Sequence, residues 1–411
     1  MDSFYDWQQW RRVRDIVDAE ADLLQQLPEN CKDVNNALKE LGLPGSDALL
    51  NNPLDVGMPE QKESTLGAQG SLRVYVDSEI EPALSLQRFY EFLRPKLEYQ
   101  GIQFVSRRAG ADLQWDPYGG WTYAPPSQND LPFVSTFHGA MGWFAPWDWE
   151  YSDPQTALKY QAYALQQYAL WKDWGDRVSA FIVPSFFAGR ELCETLGVNA
   201  DRIAVVHHGV DARLYCPEGP REESVGLLHV VAHWRVKKNI ERIIEAYQAS
   251  GVKLPLTVIA HAWDPKALPA GVRHVQGALP AAKVAEYYRG AQALVFATLS
   301  ETFGLPALEA MASGCPVIVG RGTATEELFG SASIVVDPFS VPEIAQAMQK
   351  MANPATAADF RQRGLLRARS FSWERTAAAH YRVFQKAIWE HQLQHARSGG
   401  VHAWFKRIIG R

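Results

Sequence analysis

The strongest constraint on this chain is a rhythm that occurs twice. Short runs rich in β-branched and aromatic residues alternate with longer stretches of helical apolar spacing. In the first series the strand runs are 72–76 (LRVYV), 102–105 (IQFV), 133–136, 180–183 and 203–206, with helical stretches over 84–99, 154–173 and 189–196. The second series starts after Pro217. Its strand runs are 227–232, 256–259, 272–276, 293–297, 316–320 and 333–336, and its helices 240–249, 283–290, 306–313, 324–328 and 341–351. A strand followed by a helix reaches its neighbour by a crossover, and crossovers build parallel sheets with helices on both faces. The turn-rich segment HGVDARLYCPEGP, 208–220, separates the two series. The predicted architecture is α/β, with two Rossmann-like doubly wound domains, 71–212 and 213–385, facing a cleft. A helical extension and linker, 1–70, precede them, and a helix with a basic tail, 386–411, follows. A chain of 411 residues has length enough for two such cores.

Composition excludes several functions. The net charge is −5, so no basic surface for nucleic acid is expected and any anion site must be local. Cys31, Cys193, Cys216 and Cys315 lie far apart, without metal-ligand spacing, which predicts small core residues in a reducing compartment rather than a disulfide framework. The N-terminus is polar and no run suits a membrane span. A cytoplasmic protein is expected, with peripheral contact at the inner membrane face as one option. That option rests on the tail VHAWFKRIIGR, where aromatic and apolar residues flank Lys406, Arg407 and Arg411; a disordered basic tail is the alternative.

The most informative segment is 300–319, SETFGLPALEAMASGCPVIV. A strand ends before it, Pro306 falls in the first turn of a helix where a missing N–H costs nothing, and Gly314 suits a left-handed cap. Residues 302–305 therefore present backbone N–H groups at a helix N-terminus, an anion-binding arrangement. Gly304 removes a side chain where a diphosphate would approach. Glu301 precedes the helix and Glu309 lies about one turn inside it; carboxylates there suit sugar hydroxyls, which donate hydrogen bonds to them.

The run E-T-F-G-L-P-A-L-E-A-M-A-S-G-C-P-V resembles the E-x7-E motif of retaining family-four glycosyltransferases of the GT-B fold. The resemblance implies that Glu309 binds the nucleotide ribose, that Glu301 contacts the donor sugar and that the Phe303–Gly304–Leu305 backbone cradles the diphosphate. Arg235 and Lys238 in AHWRVKKNIERIIEAY look like the family's basic pair, with Lys237 as a substitute for one of them. Fixed cations there stabilise a leaving nucleoside diphosphate without a metal, and no Asp-x-Asp motif suggests one. No cofactor is expected, the nucleotide sugar being a co-substrate. Backbone around Gly277 and Ala278 is expected at the base, and His138, after a strand, at the donor sugar. Ser185 has two readings, an acceptor contact or a helix cap. The aromatic stretch 141–151 is open between stacking on an acceptor sugar and packing. In place of the family's glycine-rich loop stands DSEIEPALSL, with no glycine. The resemblance spans 130–385 and is weaker over 71–130. The acceptor, a glycan, a lipid-linked glycan or another molecule, is not legible.

Overall fold

The computed structural model describes residues 71–77, 84–119, 130–139, 168–169, 171–172, 175–232 and 234–398. The expected N-terminal helices, the 141–151 aromatic stretch, nearly all of the 154–173 helix and the 399–411 tail fall outside them.

The first sheet contains β1 (Leu72–Tyr75), β2 (Ile102–Val105), β3 (Leu113–Gly119), β4 (Phe133–Phe137), β5 (Ala180–Val183) and β6 (Ile203–Val205), in the order β2-β1-β3-β4-β5-β6. Every pair is parallel. Helices α1 (Leu84–Tyr99) and α2 (Phe186–Leu196) belong to this half. The second sheet contains β7 (Gly226–Val231), β8 (Leu256–Ala260), β9 (Val272–Gln276), β10 (Ala291–Phe296), β11 (Val317–Gly320) and β12 (Ile334–Val336), ordered β12-β11-β10-β7-β8-β9 and also parallel throughout. Its helices are α3 (Ile240–Ser250), α4 (Ala281–Gly290), α5 (Leu305–Ala312), α6 (Ala324–Phe329), α7 (Val341–Ala352) and α8 (Pro354–Ala368). Helix α9 (Trp373–Ser398) closes the described chain.

The apolar runs are uninterrupted because both faces of each sheet are covered. In the second sheet Leu228, Val230, Leu294 and Phe296 enter one core, and their neighbours Leu227, Val231, Ala293 and Val295 enter another on the opposite face. Strand order reverses between β1 and β3 in the first sheet and between β7 and β10 in the second. Parallel sheets leave a crevice for ligands at the carboxyl ends of strands flanking such a reversal.

Two elements escape the sequence pattern. Strand β3 reads LQWDPYG, and Pro117 and Gly119 argue against a central strand. The chain tolerates them because the pairing with β4 is irregular between Asp116 and Gly119, where Pro117 has no N–H to give. Helix α8 is polar enough to lack a clear apolar stripe, and it starts at Asn353, whose side chain accepts from the N–H groups of Ala355 and Thr356.

Helix α9 crosses back to the first half and runs past residue 385. Trp373, Val383, Phe384 and Ala387 are buried; Phe384 packs on Trp115 of β3 at 5.4 Å and Trp373 stacks on Phe92 of α1 at 5.6 Å. Each fully buried large apolar side chain contributes about 1.5–3 kcal/mol, far more than the half-exposed Lys96–Glu374 ion pair at its start, so packing holds this brace. At the crossing, Thr376 Oγ1 donates to the carbonyl of His207 at 2.8 Å and Val210 bridges to Ser372. Among the described residues no helix is long and apolar enough to cross a membrane.

Candidate active site

The loops after β7 and β10 leave the two strands that flank the second reversal, and they carry the charged residues. After β7, Val236–Lys238 forms a 3-10 turn that ends at Asn239, held in the left-handed region at φ 64°. The two lysines therefore close a separate turn immediately ahead of α3, whose N-cap is Asn239, rather than lying within its first turn. Asn239 is the pin: it is buried, and its amide donates to the carbonyls of Ala297 and Pro338, both at 2.7 Å. The N–H of Leu299 adds a bond of 2.8 Å to the carbonyl of Lys237. The basic turn is thus fastened directly to the end of β10.

Fastening brings Lys238 Nζ to 2.6 Å from Glu301 Oε1, with both side chains partly buried. Arg235 stands at the other end of the turn, its Nη1 donating to the carbonyl of Trp234 at 2.8 Å. Beyond Glu301 the chain enters α5. Gly304 caps it at φ 92°, a conformation costly for other residues, and a β-carbon there would sit 2.5 Å from the Thr325 methyl. The missing side chain is thus explained by backbone angle and by packing on α6, a reason the sequence did not show. Pro306 occupies the first turn, and Gly314 ends the helix at φ 76° with the paired bonds Cys315 to Ala310 and Gly314 to Met311, as its spacing predicts. In the first turn of α5 Pro306 has no N–H, and those of Ala307 and Leu308 bond the Gly304 carbonyl at 3.0 and 3.3 Å, so the donors this helix start can offer are the backbone N–H groups of residues 303–305, just after Glu301. The Phe303 ring points down into the core, so only its backbone is available at the edge.

Glu309 sits one turn inside α5. Its Oε2 accepts from the hydroxyl of Tyr288 on α4 at 3.2 Å, and the Tyr215 hydroxyl also bonds the carboxylate. Burial raises its pKa to about 7, against these two bonds and the Arg88 charge on α1, which favour the ionised form. Gly277 and Ala278 follow β9 on the same carboxyl edge, two strand positions from β7.

The first half delivers its own strand ends to the same place. His138 follows β4, and its Nε2 lies 2.8 Å from the carbonyl of Pro117. A carbonyl only accepts, so Nε2 carries the proton. Burial lowers the pKa to about 4, which keeps the ring neutral and leaves Nδ1 with a lone pair. Asp116 supports the turn: its carboxyl accepts from the Tyr118 N–H at 2.8 Å and the Ser135 hydroxyl at 3.2 Å, and burial raises its pKa to about 7. Next to His138, a β-carbon on Gly139 would overlap the Thr302 methyl, so the β4 loop and the Glu301 loop touch. Ser185, fully buried after β5, caps α2 and donates to the carbonyl of Thr302 at 2.8 Å; it braces the loop, and the acceptor-contact reading is ruled out by its burial. Glu327 of α6 accepts from the N–H groups of Phe186 and Phe187 at 3.0 and 2.7 Å, seating the α2 N-terminus on the second half.

Beneath the site lies a histidine cluster. His208 is buried, 4.8 Å from the Phe303 ring and 5.6 Å from His138, with Phe89 of α1 against both. His380 of α9 bonds the Thr376 carbonyl through Nδ1 at 2.8 Å and meets Thr136 of β4 through Nε2 at 3.3 Å. Burial lowers the pKa of His208 and of His380, the latter to about 4. Asp116, Asn239, Tyr215, Tyr288 and His208 were invisible as site residues in the sequence. Only the pairing of a histidine doublet with a strand end hinted at His208. Cys315 is a core residue, its thiol pushed up to about 12 by burial. Among the described residues no three His, Cys, Asp or Glu side chains are arranged to hold a metal ion.

Two parallel sheets meeting at their carboxyl edges, with cations and a helix N-terminus at the second reversal, define the class: a two-domain α/β fold of the GT-B type. The solved structure of Anabaena HepE in complex with UDP and glucose shares that fold, with a TM-score of 0.53 at 13% identity over 74% of this chain and 97% of that one. The Glycosyltransferase Family 4 model matches residues 80–214, and the Glycosyl transferases group 1 model matches residues 225–353. Each half of the chain thus matches a glycosyltransferase model. Curated relatives include the O-antigen chain mannosyltransferase B of Escherichia coli, 27% identical over 59% of this chain and 67% of that protein. The D-inositol 3-phosphate glycosyltransferase of Pseudarthrobacter chlorophenolicus is 27% identical over 53% of this chain. The match spans 58% of that relative's length.

Proposed function

We propose that this protein is a retaining glycosyltransferase that moves a hexosyl group from a nucleoside-diphosphate donor to an acceptor hydroxyl. The observation that carries the reading is the Lys238–Glu301 pair beside the N-terminus of α5, at the reversal of the second sheet. Within the pair each member neutralises the other. A nucleotide sugar offers both a substitute: its diphosphate takes Lys238, Arg235 and the backbone N–H groups of residues 303–305 at the start of α5, and its sugar hydroxyls donate to Glu301. Glu309 accepts from the ribose. Neutral His138 accepts a sugar hydroxyl through Nδ1.

Catalysis follows from charge. Cleavage of the anomeric C–O bond places negative charge on the diphosphate, and fixed cations with a helix end stabilise that charge more than they stabilise the ground state. Neither a metal nor a protein nucleophile is required in this reading; the acceptor enters on the face the diphosphate leaves. The UDP-bound neighbour makes UDP-hexoses the first donors to try, and the mannosyltransferase relative makes mannose one of the sugars. A glycan or lipid-linked acceptor fits the same relative. The test is a panel of UDP-, GDP-, ADP- and dTDP-sugars assayed for donor hydrolysis and transfer, with anomer analysis of the product. Turnover of one donor that collapses in Lys238→Ala supports the reading; a panel with no turnover, or one indifferent to Lys238→Ala, sinks it.

A further inference from the structure

Glu309 lies where three pieces of chain converge, and two of them bring phenol hydroxyls. The last turn of helix α4 carries Tyr288 and Arg289. Tyr288 is fully buried and donates to Glu309 Oε2 at 3.2 Å. Its neighbour Arg289, also buried, turns the other way and binds the interdomain linker: Nε meets the carbonyl of Pro220 at 2.5 Å, and Nη1 those of Leu214 and Cys216 at 3.3 and 3.4 Å. Those last two carbonyls flank Tyr215, whose N–H is further tied to the carbonyl of Asp211 at 2.8 Å. One helix end therefore supplies one hydroxyl and fixes the linker that supplies the other. The two rings sit 6.1 Å apart, centroid to centroid.

We propose that Tyr288 and Tyr215 are positioning residues for donor recognition: together they orient the Glu309 carboxylate so that its remaining lone pairs face the vicinal diol of the donor ribose. This rests on the reading that Glu309 meets the ribose. A carboxylate has about four lone-pair sites, and two phenols leave about two, the number a 2′,3′-diol can use. Burial raises the pKa of both phenols, so they stay protonated donors. The other charged group bearing on Glu309 is Arg88 of the first half, and Arg361 of α8 faces Gly314 at the far end of α5. Because the phenols favour the ionised carboxylate, their loss raises the pKa of Glu309, and donor recognition then fails at a higher pH.

The experiment compares the full chain with Tyr288→Phe, Tyr215→Phe/Tyr288→Phe and Glu309→Gln. The double variant should raise the donor KM about tenfold with kcat nearly kept, as expected for bonds to a charged acceptor. Its acid limb of kcat/KM should move up by on the order of one pH unit. A double variant with the parent's melting temperature, KM and acid limb overturns the proposal. If Glu309→Gln is equally silent, the donor-site reading falls with it; if Glu309→Gln alone is impaired, only the tyrosine roles fall. Should the double variant not fold, calorimetry on the unmodified chain decides. UDP, GDP and ADP are compared with their 2′-deoxy forms between about pH 5.5 and 8.5, and ribose preference should vanish as Glu309 protonates. A preference flat across that range, or no binding of any of the three, overturns the proposal.

Discussion

The two strand edges that meet at the site are built from different chemistry. On the first, the polar groups are neutral and enclosed: His138 is kept uncharged, Asp116 is buried among hydrogen-bond donors, and His208 and His380 are sealed among aromatic rings. On the second they are charged and partly open: Arg235 and Lys238 on the turn after β7, with Glu301 ahead of α5. The difference follows from what each edge has to do in the proposed reaction. A departing diphosphate needs fixed charge, which stays effective only where a low-dielectric wall limits screening. A sugar held for transfer needs a directional acceptor that does not itself attract the diphosphate, and a neutral imidazole with one lone pair supplies that.

Acid should break the contrast most severely. The folded pKa of His229 and of His380, both fully buried, lies near 4, below the ordinary value of 6.5. A depressed folded pKa gives stability that is present above pH 6.5 and lost as pH falls through 4, roughly 3 kcal/mol for each ring. His138, His207 and His208 add to the same trend. Asp116 and Glu309, with folded pKa raised to about 7, act oppositely: what they contribute is present below their unfolded value and lost as pH rises through 7. Melting temperature followed by circular dichroism should therefore fall between pH 6.5 and 4; a flat profile there would contradict the enclosure of these rings, His229 of β7 included.

Charge removal on the second edge comes next. Lys238→Ala should lower kcat by about 10²–10³-fold, since it withdraws a preorganised charge from the leaving group and strands Glu301. Steady-state kinetics with the accepted donor measures it, and a loss confined to KM would reassign Lys238 to ground-state binding. His138→Ala should cost about tenfold in kcat/KM, the worth of one neutral hydrogen bond, with little change in salt dependence. Parity between His138→Ala and Lys238→Ala would erase the distinction between the edges. Ser185→Ala loses one bond to the Thr302 carbonyl and should lower stability by about 1 kcal/mol, read by urea denaturation. The smallest effect expected is from EDTA: turnover unchanged, because the charge on the leaving group is met by side chains.

The second edge was largely readable beforehand. Its helix start, left-handed cap and acid spacing are local features that neighbouring residues enforce, so Pro306, Gly314, Glu301 and Glu309 took their expected places. The first edge was not. Strand β3 was hidden by Pro117 and Gly119, and the support that Asp116 gives to the His138 turn depends on a strand pairing no local pattern reveals.

By itself, the sequence determined two series of parallel strands and helices, the start of α5 at Pro306 and its left-handed end at Gly314, because period, turn chemistry and capping act within a few residues. The tertiary structure alone decided that Lys238 meets Glu301, that Tyr215 and Tyr288 converge on Glu309, and that the β4 loop touches Thr302. Those contacts join residues distant in the chain, and strand order brings them within bonding distance.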